Sequence, residues 1–386
     1  MMNRKVLILP SWYPTEASSI SGIFVQDQTQ KIAKTYDVAI LFPRGVFYQD
    51  ALRGRFGPKS QISQHDGVTV YSERTLAPLP SRFKWVYDSY YRVARRGFEK
   101  LLRDWGKPDL IHAHVVLPGG WAASKLGREH GIPVVLTEHS GPFSVHLQSE
   151  CQRRLVRQTL TQVNRTIAVS PAMAHQILAF QNELKIEVVG NIVRTDFFIP
   201  AEDRGKCSSP VTRVLSVGLL TQDKGMIYLL EAAHLLAERG ITSFELFIGG
   251  DGPERTKLEK RMRSLHLSNR CFFLGLLSRS QVRDWIQQCD VFVLPSLRET
   301  FGVVLGEAMG CGKPVVATRC GGPEFIVTDE TGILVDVANS IALANAIDEI
   351  ISRRFTFNPA VIRRSIDERF GEQAFLRNIS AIYEQL

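Results

Sequence analysis

Short unbroken apolar runs recur along the chain, separated by segments with helical spacing. In the first half the runs are Lys5–Leu9, Val38–Phe42, Val68–Tyr71, Leu110–Ala113, Val134–Thr137, Arg165–Val169 and Glu187–Val189. In the second half they are Arg213–Val217, Glu245–Ile248, Cys271–Leu274, Val291–Leu294, Pro314–Ala317 and Ile333–Val335. Sequences such as Val-Leu-Ile-Leu and Val-Phe-Val-Leu do not alternate with polar residues, so both faces of each strand must meet apolar neighbours. Helices are predicted between them, over Ile23–Lys34, Phe83–Trp105, Trp121–His130 and Ala172–Phe180, then Met226–Arg239, Glu254–Leu265, Gln281–Gln288 and Ile341–Ser352. Strand–helix alternation of this kind predicts an α/β fold with doubly wound parallel sheets covered by helices.

The rhythm breaks at Pro200–Pro210, a polar stretch rich in turn formers and bounded by prolines. It reads as part of a linker over 199–212. The linker separates a first domain (1–198) from a second (213–370), and a C-terminal helix (371–386) is free to pack back on the first. Ligands of doubly wound sheets sit beyond the carboxyl ends of the strands. Two such domains facing each other would bind in the cleft between them.

Composition narrows the class. Of 386 residues, 44% are hydrophobic and 22% charged, as in an ordinary globular protein and unlike a disordered chain. No apolar run approaches the ~20 residues of a membrane span. The run Val6–Trp12 is broken by Pro10 and Ser11 and is too short for a signal-peptide core, so a cytoplasmic location is expected. Six cysteines (151, 207, 271, 289, 311 and 320) form no C-x-x-C pair and are expected to be free thiols. The net charge of +8 divides into +9 over residues 1–200 and −1 over 201–386. A basic first half points to an anionic membrane surface, a polyanionic substrate or nucleic acid. The aromatic, basic stretch Phe83–Arg103 either lies on such a surface or turns its aromatics into the core. No recognition motif for nucleic acid accompanies the charge.

The richest chemistry lies in Pro295–Ala317. Glu299 stands in a loop after an apolar strand, and Thr300-Phe301-Gly302 is expected to open a helix running to about Met309. The N–H groups of Thr300 to Val303 would then face an anion, as at any helix N-terminus. Glu307 lies two turns along. Elsewhere, Lys224-Gly225 follows a strand, and His112, His114 and His139 stand at strand ends. Three histidines raise the question of metal, but their spacing fits no common zinc site, and no metal is expected.

These segments resemble the retaining GT-B glycosyltransferases of family 4. The E-x-F-G-x-x-x-x-E string from Glu299 to Glu307, followed by A-M-G-x-G-x-P-V-V-A, is similar to that family's E-x7-E signature. Val217-Gly218-Leu219-Leu220…Lys224-Gly225 resembles its V-G-R-L-x-x-x-K-G loop, with Leu219 where the family has arginine. Ile248–Glu254, Phe272–Gly275 and Cys320–Glu324 resemble its G-x-G-P corner, base-side stretch and G-G-x-x-E turn. Trp12…Gly22, Asp109–His114 and Val134–His139 resemble its first loop and two strand ends, although the family's glycine pair in that loop is here a single glycine.

The resemblance implies two Rossmann-like domains and transfer of a sugar from a nucleotide diphosphate sugar, UDP- or GDP-linked, with retention. The acceptor is a hydroxyl on a saccharide or lipid-linked molecule, in bacterial surface polysaccharide or glycolipid synthesis. It implies catalytic roles for Glu299, His139 and Lys224. Donor contacts come from Gly22, Gly218, Lys224, Gly275, Glu299, Thr300, Phe301, Gly302, Val303 and Glu307. Acceptor contacts come from Trp12, His112, His114 and His139. No cofactor is implied, and without a D-x-D triad no metal. A sugar-nucleotide epimerase and a non-catalytic sugar-nucleotide-binding protein stand as alternatives.

Overall fold

Fourteen strands form two sheets in the computed structural model, which describes residues 4–15, 21–47, 60–77, 83–201, 211–352 and 356–386. In chain order the first sheet is built from β1 (Lys5–Pro10), β2 (Asp37–Phe47), β3 (Ser60–His65), β4 (Val68–Ala77), β5 (Leu110–His114), β6 (Val134–Glu138), β7 (Arg165–Ala168) and β8 (Ile186–Val188). The second is built from β9 (Thr212–Val217), β10 (Phe244–Gly249), β11 (Cys271–Gly275), β12 (Val291–Leu294), β13 (Val315–Thr318) and β14 (Gly332–Val335). The chain divides into two compact units, 1–191 with 376–386, and 192–375. The expected boundary at 198 therefore moves back to 191. Residues 192–198 belong to the second unit because the Val193 N–H donates to the Phe370 carbonyl at 2.8 Å and Phe198 is fully buried. Of the expected linker, residues 202–210 lie outside the described residues. The last helix, Glu372–Tyr383, passes from the second unit into the first after Phe375.

The first unit carries the strand order β3-β4-β2-β1-β5-β6-β7-β8. β5 and β6 are wholly buried and β1 is buried after Lys5, as their unalternating sequences require. β3 corrects the expectation of a purely parallel sheet, since it pairs antiparallel with β4 at the edge. Its sequence Ser-Gln-Ile-Ser-Gln-His exposes five of six side chains, so no apolar run announces it, and its polar surface suits an unpaired edge. The helix Lys84–Asp104 buries Tyr87, Tyr90, Tyr91, Ala94, Phe98 and Leu101, one stripe at helical spacing. Its tyrosines are therefore core residues, whereas Arg92, Arg95, Arg96 and Arg103 are exposed.

The last helix completes this unit. Tyr383 is fully buried, and its hydroxyl lies 2.6 Å from His112 Nδ1. The other ring nitrogen of His112 lies 2.8 Å from the Thr137 hydroxyl, and Arg4 donates to the Tyr383 carbonyl at 2.5 Å.

The second unit has the order β11-β10-β9-β12-β13-β14, all parallel. Consecutive strands run outward from β9 in one direction and from β12 in the other. The β9–β12 boundary is thus the topological switch point, where the loops diverge and leave a crevice. Helices cover both faces, several with side-chain caps, including a reciprocal capping box at Ser278 and Gln281. Arg363 ties the unit together through the carbonyls of Thr195, Phe198 and Gly310, at 2.9, 3.0 and 2.5 Å. Among the described residues no helix is long and apolar enough to cross a membrane.

Tyr383→Phe removes the partner of a buried imidazole nitrogen, which costs about 1–3 kcal/mol. Thermal unfolding should show a lowered midpoint for the variant.

Candidate active site

The richest constellation in the second unit grows from the switch point. β9 ends at Val217 and its loop carries Lys224; β12 ends at Leu294 and its loop carries Glu299. Because these strands are neighbours, the two loops leave the sheet side by side. Gly225 makes the close approach possible: its φ is +63°, and a Cβ there would stand 2.0 Å from the Pro295 carbonyl oxygen. Two further contacts join the loops, Leu297 N–H to the Asp223 carbonyl at 2.7 Å and Arg298 to the Asp223 carboxylate at 2.5 Å.

Lys224 Nζ consequently lies 2.5 Å from Glu299 Oε1. Charge assistance makes this one of the stronger kinds of hydrogen bond. The Ser296 hydroxyl donates to the same oxygen at 2.9 Å. The Glu299 backbone is fixed independently. Its carbonyl accepts the Gly322 N–H at 3.0 Å, and it bridges Gly321 in the turn that Glu324 closes.

The helix after Glu299 starts later than expected. It spans Val303–Gly310 and is entered through Gly302 in the left-handed region. Leu305 N–H already reaches the Gly302 carbonyl at 2.9 Å. The donors that this helix start offers are therefore those of Val303 and Val304, not of Thr300 and Phe301. The Phe301 side chain faces the core. It is 1% exposed and packs edge-on against Phe370 with ring centres 5.2 Å apart, because an aromatic beside a strand end is worth more in the core. Thr300 is half-buried. Glu307 is partly buried, 3.6 Å from Arg279, whose guanidinium lies over the Phe197 and Phe198 rings. Gly218 follows β9 beside the Lys224 stem, and the Gly275 carbonyl accepts the Gly250 N–H at 2.7 Å. Leu219 is 49% exposed, so the position where the family has arginine carries an apolar side chain facing solvent.

In the first unit the strand-end histidines gather into one buried cluster. His114 Nδ1 and His139 Nε2 lie 2.9 Å apart with their rings stacked, and Phe24 lies against His139 at 4.5 Å. His112 belongs to the core through Thr137 and Tyr383, which separates it from the acceptor role the resemblance implies. Burial pushes all three imidazoles below their ordinary value: His112 to about 3, His139 to about 4 against the opposing pull of Glu138 and Asn191, and His114 well below. They are neutral at pH 7, and of the His114–His139 pair one ring donates and the other accepts. Glu138 beside them is ionised. Burial opposes its charge, but His146 and the N–H groups of Ser140 and Val116 outweigh it and leave its pKa lowered.

Trp12 is 39% exposed. Gly22 is required by the protein's own backbone, since at φ +71° a Cβ there would stand 2.3 Å from the Trp12 carbonyl oxygen. The five cysteines among the described residues are free, and burial raises Cys271, Cys289, Cys311 and Cys320 to about 12, so none of these four is a nucleophile at pH 7.

Three site neighbours were given no role by the sequence: Ser296, Arg279 and Phe24. Ser296 and Phe24 lie inside strings that resemble the family's, three residues before Glu299 and two after Gly22; Arg279 reaches Glu307 only through the fold.

Two families match the chain. The one described as Glycosyl transferases group 1 covers residues 206–374, and Glycosyltransferase Family 4 covers 37–197. The lipopolysaccharide core biosynthesis glycosyltransferase LpsD of Rhizobium meliloti is 30% identical over 87% of this chain and 89% of its own length. LpsE of the same organism is 29% identical over 64% and 66%. Among solved structures, Anabaena Alr3699/HepE in complex with UDP and glucose superposes with a TM-score of 0.73 at 19% identity over 100% of both chains.

The neutral histidines set a pH dependence. Their folded values lie below the ordinary 6.5, so the unfolded chain binds more protons than the folded one between about pH 6.5 and 4. Stability is fully present above about 6.5 and falls as pH drops through that window, by up to ~1.4 kcal/mol per unit for each group. Thermal midpoints measured from pH 7 to 5 should decline less steeply for His112→Gln than for the unaltered chain.

Proposed function

The chain belongs to the group 1, family 4 glycosyltransferases and has the GT-B fold, and from that premise we propose a retaining transfer from a UDP- or GDP-sugar to a hydroxyl. The acceptor is a saccharide or a lipid-linked molecule in the synthesis of a surface polysaccharide or glycolipid. The observation that carries the reading is the meeting of Lys224 and Glu299 at the switch point, beside a helix start with outward N–H donors.

Each group has a matching task. As the sugar leaves, negative charge grows on the diphosphate, and the Lys224 ammonium with the N–H groups of Val303 and Val304 stabilises it. Glu299 accepts hydrogen bonds from the sugar hydroxyls and orients the ring. Glu307 accepts from the ribose hydroxyls, steadied by Arg279. With Leu219 in place of arginine, Lys224 carries more of the diphosphate's charge. These groups supply the cationic stabilisation without a metal ion. Supporting the nucleotide assignment, the HepE relative was solved with UDP and glucose. Lipopolysaccharide core synthesis by LpsD and LpsE supports the surface-glycan assignment.

The acceptor side falls to the first unit, whose exposed Arg92, Arg95, Arg96 and Arg103, with Trp85 at the head of the same helix, suit an anionic bilayer presenting a lipid-linked acceptor. Sedimentation with phosphatidylglycerol vesicles should retain the chain, and Arg92→Glu with Arg95→Glu should release it.

Transfer should be measured with UDP- and GDP-sugars, acceptor panels and excess EDTA. Glu299→Ala should lower the rate by at least about 100-fold with an unchanged unfolding midpoint, as for removal of a group acting at the reacting sugar. Transfer by the unaltered chain should survive EDTA. Near-normal turnover by Glu299→Ala would remove Glu299 from the site, and a rearranged free sugar nucleotide formed without acceptor would favour the epimerase.

A further inference from the structure

Lys224 and Glu299 are assigned to different parts of one substrate, the ammonium to the diphosphate and the carboxylate to the sugar. In the structure they hold each other. The 2.5 Å pair is substantially shielded, with side chains 26% and 11% exposed. Glu299 Oε1 is also the oxygen that accepts from Ser296, so this one atom receives two donors. Ser296 is fully buried, and its own carbonyl accepts the hydroxyl of the fully buried Thr318. The Ser296 hydroxyl thus arises from a fixed backbone and aims Glu299 at Lys224.

An ammonium paired in this way is a poor anion receptor. A diphosphate approaching Lys224 must share it with a carboxylate at hydrogen-bond distance, whose charge repels it. An intact sugar nucleotide resolves the conflict, because its sugar hydroxyls offer Glu299 new hydrogen-bond donors in exchange for the lysine. A nucleoside diphosphate alone has no such sugar to offer Glu299, and its ribose hydroxyls belong to Glu307.

We propose that Glu299 and the nucleoside diphosphate product compete for Lys224, with Ser296 as the positioning residue that returns the carboxylate to the lysine. Once the sugar has moved to the acceptor, its hydroxyls leave Glu299, the ion pair re-forms, and the product is displaced. Glu299 then has two roles in one cycle: it orients the sugar before transfer and expels the leaving group after it. The inference rests on the donor-site reading above.

Isothermal titration of UDP, GDP and ADP into the full chain tests it, with Glu299→Gln, Ser296→Ala and Lys224→Ala as variants. For whichever nucleotide binds, Glu299→Gln should bind it about fivefold more tightly than the unaltered chain, the factor of a modest ion pair released. Ser296→Ala should tighten binding by a smaller factor, which a merely structural loss would not do, and it serves if Glu299→Gln does not fold. Lys224→Ala should weaken binding. If Lys224→Ala weakens binding while neither of the other variants tightens it, the competition is overturned and the donor site stands. If Lys224→Ala changes nothing, or no nucleotide binds, the donor-site reading itself falls.

Discussion

One ion pair depends on the topology of the whole second unit. Lys224 and Glu299 are 75 residues apart and meet because β9 and β12 are adjacent while their connections run to opposite sides. A different strand order would leave both side chains on unrelated loops. The contact also depends on a left-handed backbone at Gly225, on the Asp223 clasp, and on the Gly321–Gly322 turn that fixes the Glu299 backbone. The rigid sheet brings the loops to within a few ångströms, and these local contacts set the last one. This division of labour is general for sites at strand ends, where precision comes from supports around the reacting groups.

The first unit answers to a different constraint. Three imidazoles are taken out of water, which is tolerable only in their neutral form and with polar partners. His112 has a partner on each nitrogen and serves packing. His114 and His139 are satisfied chiefly by each other and keep a buried nitrogen apiece, Nε2 and Nδ1, with no hydrogen bond of ordinary geometry. Such half-satisfied groups are uncommon in cores, and here they sit beside the positive φ of Val115, a rare conformation for a β-branched residue.

Much of this was legible in the sequence for identifiable reasons. Buried parallel strands need apolar residues on both faces, so runs such as Val6–Leu9 and Val291–Leu294 announce themselves, and thirteen of the fourteen strands among the described residues follow from them. β3 does not, because an edge strand with solvated side chains has no such requirement. Glu299, Glu307 and Lys224 stood out only through the resemblance of the strings around them to a family's motifs; the structure brings Lys224 to Glu299 and Arg279 to Glu307. Where the Phe301 ring points was not legible, because its place in the motif says only where the backbone runs. Arg279 stands 28 residues from Glu307 and reaches it only through packing. The boundary at 191 was hidden because residues 192–198 look like the end of one domain and are held by hydrogen bonds to Phe370 and Arg363 of the other.

The return of residues 376–386 to the first unit makes that unit discontinuous in the gene. During synthesis its sheet is made before residues 192–375, and Tyr383, the partner of His112, only after them. The nascent sheet is therefore without the cover of this helix while residues 192–375 are translated. A fragment ending at residue 191 inherits that unfinished state for good, and supplying the missing helix as a separate peptide is the direct way to repair it.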